Sequence, residues 1–325
     1  MNPAFSVIFL TTLIGAGQGL FIALVSVQAQ ALLGLLPQPP SSQFYVAGSV
    51  LALMGLGAGL LASFFHLGRP ERAWRTATMW RTSWLAREVI VLPAFMASVA
   101  LYGALHLFNP APLPAPGSAI AVDASLAVGV LGSLLAFALF VSTAMIYACL
   151  RFLAEWHTPW TLVNFTLLGM ASGFTLATAL AAFSTPRHVG FLAAWAIGLT
   201  ALGAASRAMT LRRNARLKPL STVQSAIGVK HPLVVQTSQG FMGSSFNTRE
   251  FFHGRGAGVL RHVKWGFIVT AFAVPPACLW LGLQNASVAL LGAAFAVQYL
   301  GLLAERWFFF AQARHPQNLY YQAIS

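Results

Sequence analysis

Apolar runs of about 20 residues alternate with short polar segments along the whole chain. A helix that crosses the hydrocarbon core of a bilayer needs about 20 predominantly apolar residues. Barrel strands would be shorter and would alternate polar with apolar positions, so continuous runs favour helices. The pattern predicts eight spans, at about residues 5–30, 44–66, 84–107, 124–150, 160–183, 190–210, 262–283 and 287–310.

The composition agrees with this pattern. Of the 325 residues, 58% are hydrophobic and 8% are charged, whereas a soluble domain carries roughly 25% charged residues. We therefore predict an all-α polytopic membrane protein with one transmembrane domain over residues 1–325. Within the spans, Gly15, Gly17 and Gly19 should allow close helix packing, and Gln18 and Asn164 should each hydrogen-bond a neighbouring helix.

The net charge of +13 is distributed along the chain in a way that predicts orientation. The basic residues lie in the gaps between apolar runs, so nucleic-acid binding is rejected as their purpose. With eight spans, eighteen of the nineteen Lys and Arg residues fall on one side and Arg187 alone on the other. The positive-inside rule then places both termini and the loop 211–261 in the cytoplasm, for a protein of the bacterial inner membrane.

The loop 211–261 is the one long polar segment, and it is predicted either to be a solvated connector or to dock another subunit. Docking is the favoured reading. The loop is too short for an enzyme domain and has no nucleotide-binding glycine pattern.

Candidate chemistry lies at the basic edge of the second and third spans. His66 closes span two, and Ser83 is expected to cap span three, which puts Glu88 about 7.5 Å deep at the helical rise. A quinone needs hydrogen-bond donors and two protons per two-electron reduction. His66 can donate or accept near neutral pH, Glu88 can relay protons, and the adjacent Arg87 can hold Glu88 ionised.

A structural explanation of the same residues stays open from spacing alone. A glutamate in the first turns of a helix is favoured by the helix dipole, and Arg87 can extend towards water. The histidines offer no pair suited to a haem, and the chain has no CxxC motif for a cluster or a metal. Ionisable residues are not expected in the middle of the spans, which weakens a secondary transporter as an alternative.

Several motifs resemble the DmsC family, the membrane-anchor subunits of dimethyl-sulfoxide-reductase-type molybdoenzymes. The most specific pair is Phe65-His-Leu-Gly-Arg-Pro70 with Arg81-Thr-Ser-Trp-Leu-Ala-Arg-Glu88. The opening Thr12–Gly19, the loop segment Ser245–Gly254 and the final Ala304–Phe310 are also similar to that family. The resemblance covers essentially the whole chain.

The resemblance implies a haem-free anchor, by analogy two four-helix bundles, which exchanges electrons with ubiquinone or menaquinone. Its partners would be an iron–sulfur subunit with four [4Fe–4S] clusters and a catalytic subunit with a molybdopterin cofactor. The important histidine and glutamate of the family match His66 and Glu88. Residues expected around the quinone or in proton relay are His66, Arg81, Ser83, Trp84, Arg87 and Glu88. Residues expected to contact the partner are Arg69, Arg72, Arg249, Glu250 and His253.

Because the quinone motifs lie on the basic side, the partner subunits should be cytoplasmic. Within the family this arrangement is similar to the quinone-linked sulfite dehydrogenases, which oxidise sulfite to sulfate. A quinol-oxidising dimethyl sulfoxide reductase anchor is the alternative, because the anchor alone does not determine the direction of electron flow. A passive anchor without a quinone site, or a secondary transporter, are alternatives of another class.

Overall fold

The computed structural model describes residues 3–36, 40–108, 113–114, 121–218, 221–235 and 257–316. Eight helices in this part of the chain are long and apolar enough to cross a membrane, which confirms the predicted all-α membrane fold. They are α1 (Phe5–Leu32), α2 (Ser42–Phe64), α3 (Trp84–Phe108), α4 (Ala124–Ala148), α5 (Pro159–Ser184), α6 (Val189–Asn214), α7 (Gly258–Gln284) and α8 (Val288–Ala311).

Shorter elements connect these helices. A 3-10 helix, Pro70–Met79, joins α2 to α3, and a second, Pro186–His188, joins α5 to α6. Between α3 and α4, β1 (Leu113–Pro114) pairs antiparallel with β2 (Ala121–Val122). A short helix follows α6 at Val223–Ile227, and α7 contains a π-helical turn at Val269–Ala273.

The helices pack as two groups of four. In the first group, α1 and α3 each contact α2 and α4, and in the second, α5 and α7 each contact α6 and α8. The two groups meet mainly where α1 packs along α5. Both helices are mostly buried, and this interface forms the centre of the molecule.

Small residues explain the close approach of α1 and α5. A Cβ atom on Gly19 would overlap the carbonyl oxygen of Gly169, and one on Gly173 would overlap the backbone of Gly19. Gly17 faces α2 instead, where a Cβ would lie 3.1 Å from the Ala52 oxygen. The predicted packing role of these glycines is therefore confirmed, and the spacing matches the small-xxx-small pattern of membrane helix pairs.

Polar side chains also join the helices as expected. Gln18 Nε2 of α1 donates to the Ala136 oxygen of α4 at 2.8 Å. Asn164 of α5 donates to Thr210 of α6 at 2.8 Å and accepts from Ser206 at 2.9 Å. Such bonds satisfy polar groups that would otherwise lie unpaired among apolar side chains.

The loop between α6 and α7 is shorter than the sequence suggested. Residues 211–214 and 258–261 belong to α6 and α7, so the predicted boundaries 211 and 261 were wrong by about one turn at each end. Hydropathy marks the edge of the apolar zone, whereas the backbone hydrogen bonds continue past it. Arg213 shows this, because it lies in the last turn and donates to the Ala154 oxygen at 3.0 Å.

Candidate functional site

A cavity of about 200 Å³ lies at the side of the molecule where α1, α3, α5 and α7 begin, which we call the basic face. We call it the His66 cavity. It is bounded by the end of α2, the 3-10 helix and the start of α3, with Leu10 of α1 behind. Its lining residues are Leu10, Leu60, Ser63, Phe64, His66, Leu67, Ala73, Trp74, Thr76, Leu85, Glu88, Val89, Leu92 and Pro93.

His66 lies two residues beyond the end of α2, at the exposed rim of this cavity. Its backbone N–H donates to the Ser63 oxygen at 3.2 Å, which continues the helical turn and directs the residue towards α3. Partial burial lowers the pKa of the His66 imidazole. The ring is therefore neutral at neutral pH and offers both a donor and an acceptor nitrogen.

Glu88 lies on the opposite wall of the cavity, in the second turn of α3. It is 7% exposed, and its Oε1 accepts a hydrogen bond from Thr143 Oγ1 of α4 at 2.5 Å. The structure thus brings His66 and Glu88 to one cavity. The Glu88 carboxyl group is buried, and it has a hydrogen-bond partner in Thr143. Phe64, Trp74 and Leu85 of the lining are exposed apolar side chains, so the cavity opens on a surface suited to lipid.

Arg87 does not hold Glu88 ionised, contrary to the sequence expectation. Its guanidinium donates to the Trp80 and Arg81 oxygens, each at 2.9 Å, and lies 4.1 Å from the centre of the Trp84 ring. Consecutive residues on a helix point in directions about 100° apart and do not share a face. Arg87 therefore closes the junction between the 3-10 helix and α3, while Glu88 faces inward.

The other predicted site residues support this junction and do not line the cavity. Ser83 Oγ accepts from the Ala86 N–H at 3.3 Å, as expected for a residue that caps α3. Trp84 lies under the Arg87 guanidinium, and the Arg81 guanidinium lies 5.3 Å from the Trp80 ring. Sequence reasoning missed Trp74 and Ser63 of the lining, because the packing of the 3-10 helix against α3 leaves no periodic signal.

A second, smaller cavity lies behind Glu88, and we call it the Arg306 cavity. Its volume is about 20 Å³, and Glu88 lines both cavities. Its polar lining comes from five helices: Thr11, Thr12, Gln18, Glu88, Thr143, Ser172 and Arg306. A space of this size holds about one water molecule when two to four polar partners surround it.

Next to this cavity is a cluster of buried charges, Arg207, Glu305 and Arg306. Arg207 lies inside α6, near the end of the predicted span 190–210, and is 1% exposed. Its Nε is 2.8 Å from Glu305 Oε1 of α8, and Arg306 Nη2 is 3.7 Å from Glu305 Oε2. Two of the eighteen basic residues are thus buried partners of a glutamate.

Residues 1–305 match the family of DMSO reductase anchor subunits (DmsC). This chain is a member of the DmsC family. It is also 57% identical over 326 residues to a sulfite dehydrogenase subunit from Allochromatium vinosum, with 100% of each chain covered.

The 3-10 helix of this DmsC-family protein presents an exposed surface that is both basic and aromatic. Arg69 and Arg72 are exposed there, as are Trp74 and Trp80. Arg72 is 3.7 Å from the carboxylate of its neighbour Glu71, a pair too exposed to contribute much. The other predicted partner contacts, Arg249, Glu250 and His253, lie outside the described residues.

Within the described part of the DmsC-family chain, no group of three His, Cys, Asp or Glu side chains is close enough to hold a metal ion. The ionisable side chains that line the His66 cavity are His66 and Glu88.

Proposed function

We propose that this chain is the quinone-reactive membrane anchor of a molybdopterin oxidoreductase that oxidises sulfite to sulfate. The complex would contain an iron–sulfur subunit with four [4Fe–4S] clusters and a molybdopterin catalytic subunit. The sulfite dehydrogenase name of the 57% identical relative supports this substrate. The chain itself would exchange electrons between the iron–sulfur subunit and ubiquinone or menaquinone in the membrane.

The His66 cavity is the observation that carries the quinone role. An apolar cavity of about 150 Å³ accepts benzene, so a cavity of about 200 Å³ has room for a quinone ring while its tail stays in lipid. Most lining side chains are apolar, and His66 and Glu88 face the space from two helices. A largely apolar pocket with a few polar groups is the usual form of a small-molecule site.

The two polar side chains match the two needs of quinone chemistry. The neutral imidazole of His66 can donate a hydrogen bond to one carbonyl oxygen. Glu88 can deliver a proton to the other or take one from a quinol. One sulfite and one water give one sulfate, two protons and two electrons, and one quinone takes up two electrons and two protons to give a quinol.

The position of the partners follows from the basic face. Electrons must pass from a cluster to the His66 cavity, so the iron–sulfur subunit should dock beside the 3-10 helix. The exposed Arg69, Arg72, Trp74 and Trp80 supply charge and aromatic area for this interface. With the positive-inside rule, this proposal places the partners and both termini in the cytoplasm.

The reverse direction is the second candidate. The family description, DMSO reductase anchor subunit, supports it. In such a complex the anchor would take electrons from quinol while its partners reduce a sulfoxide. The same cavity serves either direction, since the potentials of the partner subunits decide the flow. Activity of the purified complex with sulfite and quinone, compared with quinol and dimethyl sulfoxide, separates the two.

The test of the quinone role compares two electron acceptors in the purified complex. With sulfite as donor, Glu88→Gln and His66→Ala should each slow quinone reduction about 10-fold or more. Reduction of ferricyanide, which takes electrons from the iron–sulfur subunit, should stay at the wild-type rate. Glu155→Gln and His262→Ala, which lie outside the cavity, are matched controls. Wild-type quinone rates in both cavity variants would leave the chain a passive anchor.

A further inference from the structure

The buried charges of the Arg207–Glu305–Arg306 cluster do not balance by themselves. Arg207 and Arg306 are 1% and 5% exposed, and one carboxylate, Glu305 at 1%, lies between them. An uncompensated charge in a low-dielectric interior is strongly unfavourable, so such a charge normally has a counter-charge nearby. Of the acidic residues that the structure describes, Glu88 is the other buried one, at 7% exposure.

Arg306 and Glu88 line the same cavity. The guanidinium carbon of Arg306 lies 3.8 Å from the centre of the Phe165 ring, which fixes it at the edge of the Arg306 cavity. Its Nε is buried and has no hydrogen-bond partner among the described residues. A donor of this kind normally has a partner, commonly an ordered water.

The Arg306 cavity is equipped to hold that water. The hydroxyls of Thr11 and Ser172 donate to carbonyl oxygens of their own helices, which leaves their oxygens free to accept. Thr143 donates to Glu88 from the same wall. The lining of this space therefore combines a guanidinium donor, hydroxyl acceptors and the Glu88 carboxylate.

We propose that Arg306 is a positioning residue for quinone chemistry, which acts as the counter-charge of Glu88 through water in the Arg306 cavity. Glu305, which Arg207 holds by an ion pair of 2.8 Å, lies 3.7 Å from Arg306 and helps to fix it. When Glu88 is ionised, the four buried side chains carry no net charge, and when Glu88 is protonated they carry one excess positive charge. The cluster therefore favours loss of the Glu88 proton towards the His66 cavity.

This inference rests on the proposed function and extends it with a proton route. Glu88 gives a proton to a quinone oxygen at the His66 cavity and becomes ionised. It then regains a proton from the aqueous phase, passed on by the water of the Arg306 cavity, and the cycle runs twice for each quinone. The two electrons come from the iron–sulfur subunit, and for quinol oxidation every transfer reverses.

Three groups face Glu88 and can affect its protonation. His66 lies across the His66 cavity on the segment after α2, Arg306 lines the Arg306 cavity on α8, and Tyr147 of α4 interacts electrostatically with both Glu88 and Arg306. Arg87, the adjacent cation, is directed away from Glu88 to the Trp80 and Arg81 oxygens. Arg306 is thus the buried cation that faces the carboxylate.

The experiment measures pH–rate profiles of quinone reduction for the purified complex. Arg306→Gln should lower kcat about 10-fold with little change in the KM for quinone, because Arg306 does not line the His66 cavity. The pH at which the rate changes with the protonation of Glu88 should rise by about 1 pH unit, since removal of a cation stabilises the protonated carboxyl. Arg306→Lys should restore much of the rate and return this pH to its wild-type value.

Thr143→Val tests the same route with a change of similar volume, and Arg187→Gln on the opposite face is the control for loss of a charge. Thr143→Val should also lower kcat and raise the pH at which the rate changes with the protonation of Glu88, and it decides the matter if Arg306→Gln does not assemble. Wild-type profiles in the assembled variants would overturn this inference. If Glu88→Gln itself has no effect, the proposed function fails; if only Glu88→Gln slows turnover, the proton route alone fails.

Discussion

Arg207 of α6 and Glu305 of α8 form an ion pair of 2.8 Å in the interior, with side chains 2% and 1% exposed. The guanidinium carbon of Arg207 also lies 5.6 Å from the centre of the Phe267 ring of α7. The pair therefore links three helices of the second group. It also lies beside Arg306, so that the same residues stabilise the fold and set the charge near Glu88.

Loss of one partner from this pair should destabilise the protein strongly. We expect Arg207→Met to lower the free energy of unfolding by about 3–5 kcal/mol, because Glu305 would lose its closest partner while it remains buried. Arg212→Met, an exposed position on the same helix, should cost little. Thermal denaturation of the purified protein measures both, and equal melting temperatures for the two variants would contradict the role of the pair.

The contact between α1 and α5 gives a prediction about packing. Gly19→Val should separate the two helices, since a Cβ at Gly19 overlaps the Gly169 carbonyl, at a cost of about 1–3 kcal/mol or more. Gly57→Val is the matched control, because nothing lies within 4 Å of a Cβ at Gly57. The amount of folded protein in the membrane and its melting temperature measure the effect. A Gly57→Val protein as unstable as Gly19→Val would argue against the specific contact.

Arg87 should prove much less important for turnover than Glu88. Arg87→Ala removes the two hydrogen bonds to the Trp80 and Arg81 oxygens, which are half-exposed and contribute about 0.5–1.5 kcal/mol each at most. We expect quinone reduction within about 3-fold of wild type, against about 10-fold or more for Glu88→Gln. Steady-state assays of both variants check this. An equal loss of the rate of quinone reduction in the two variants would show that Arg87 takes part in the quinone site.

Asp123 gives a prediction about pH. Its carboxylate caps α4 by accepting from the Ser125 N–H at 2.8 Å, and it accepts from Gln28 Nε2 of α1 at 3.0 Å. Burial acts to raise the pKa of Asp123, but these hydrogen bonds outweigh it and lower the pKa below the ordinary value. The ionised Asp123 therefore contributes its full stabilisation to the folded protein when the pH is above the ordinary pKa of an aspartate. This stabilisation is lost as the pH falls through the lowered pKa of Asp123 in the folded state.

Asp123→Ala should therefore cost about 1 kcal/mol at neutral pH, as for other helix caps. The difference in melting temperature from wild type should shrink below about pH 4. Asn caps helices about as well as Asp but does not titrate, so Asp123→Asn should remove the pH dependence while it keeps most of the stability. A difference between wild type and Asp123→Ala that stays constant with pH would contradict the assignment.

Much of the fold follows from the sequence because the membrane imposes a simple rule. Each apolar run must be a helix long enough to cross the bilayer, and all eight runs are helices in the structure. The roles of Gly19, Gln18 and Asn164 could also be predicted, since small and polar residues in apolar runs have few uses apart from helix contacts. Motif similarity to the DmsC family identified His66 and Glu88 as candidates.

The contents of the site could not be predicted in full, because side-chain direction depends on packing between distant segments. Arg207, Glu305 and Arg306 lie near helix ends, where a charged residue normally reaches water. Only the packing of α6 against α7 and α8 shows that they are buried. Trp74 lines the His66 cavity because the 3-10 helix packs against α3. Arg87 lies outside the cavity because adjacent helical positions face different ways.

Labelling of the purified complex with a photoreactive quinone, followed by peptide mapping, locates the quinone site. We expect attachment to residues that line the His66 cavity, between Ser63 and Pro93, and loss of labelling when excess quinone is added. A larger apolar groove of about 400 Å³ lies between α1, α7 and α8, lined by residues that include Phe9 and Trp307. Attachment confined to that groove, with the His66 cavity unlabelled, would contradict the account.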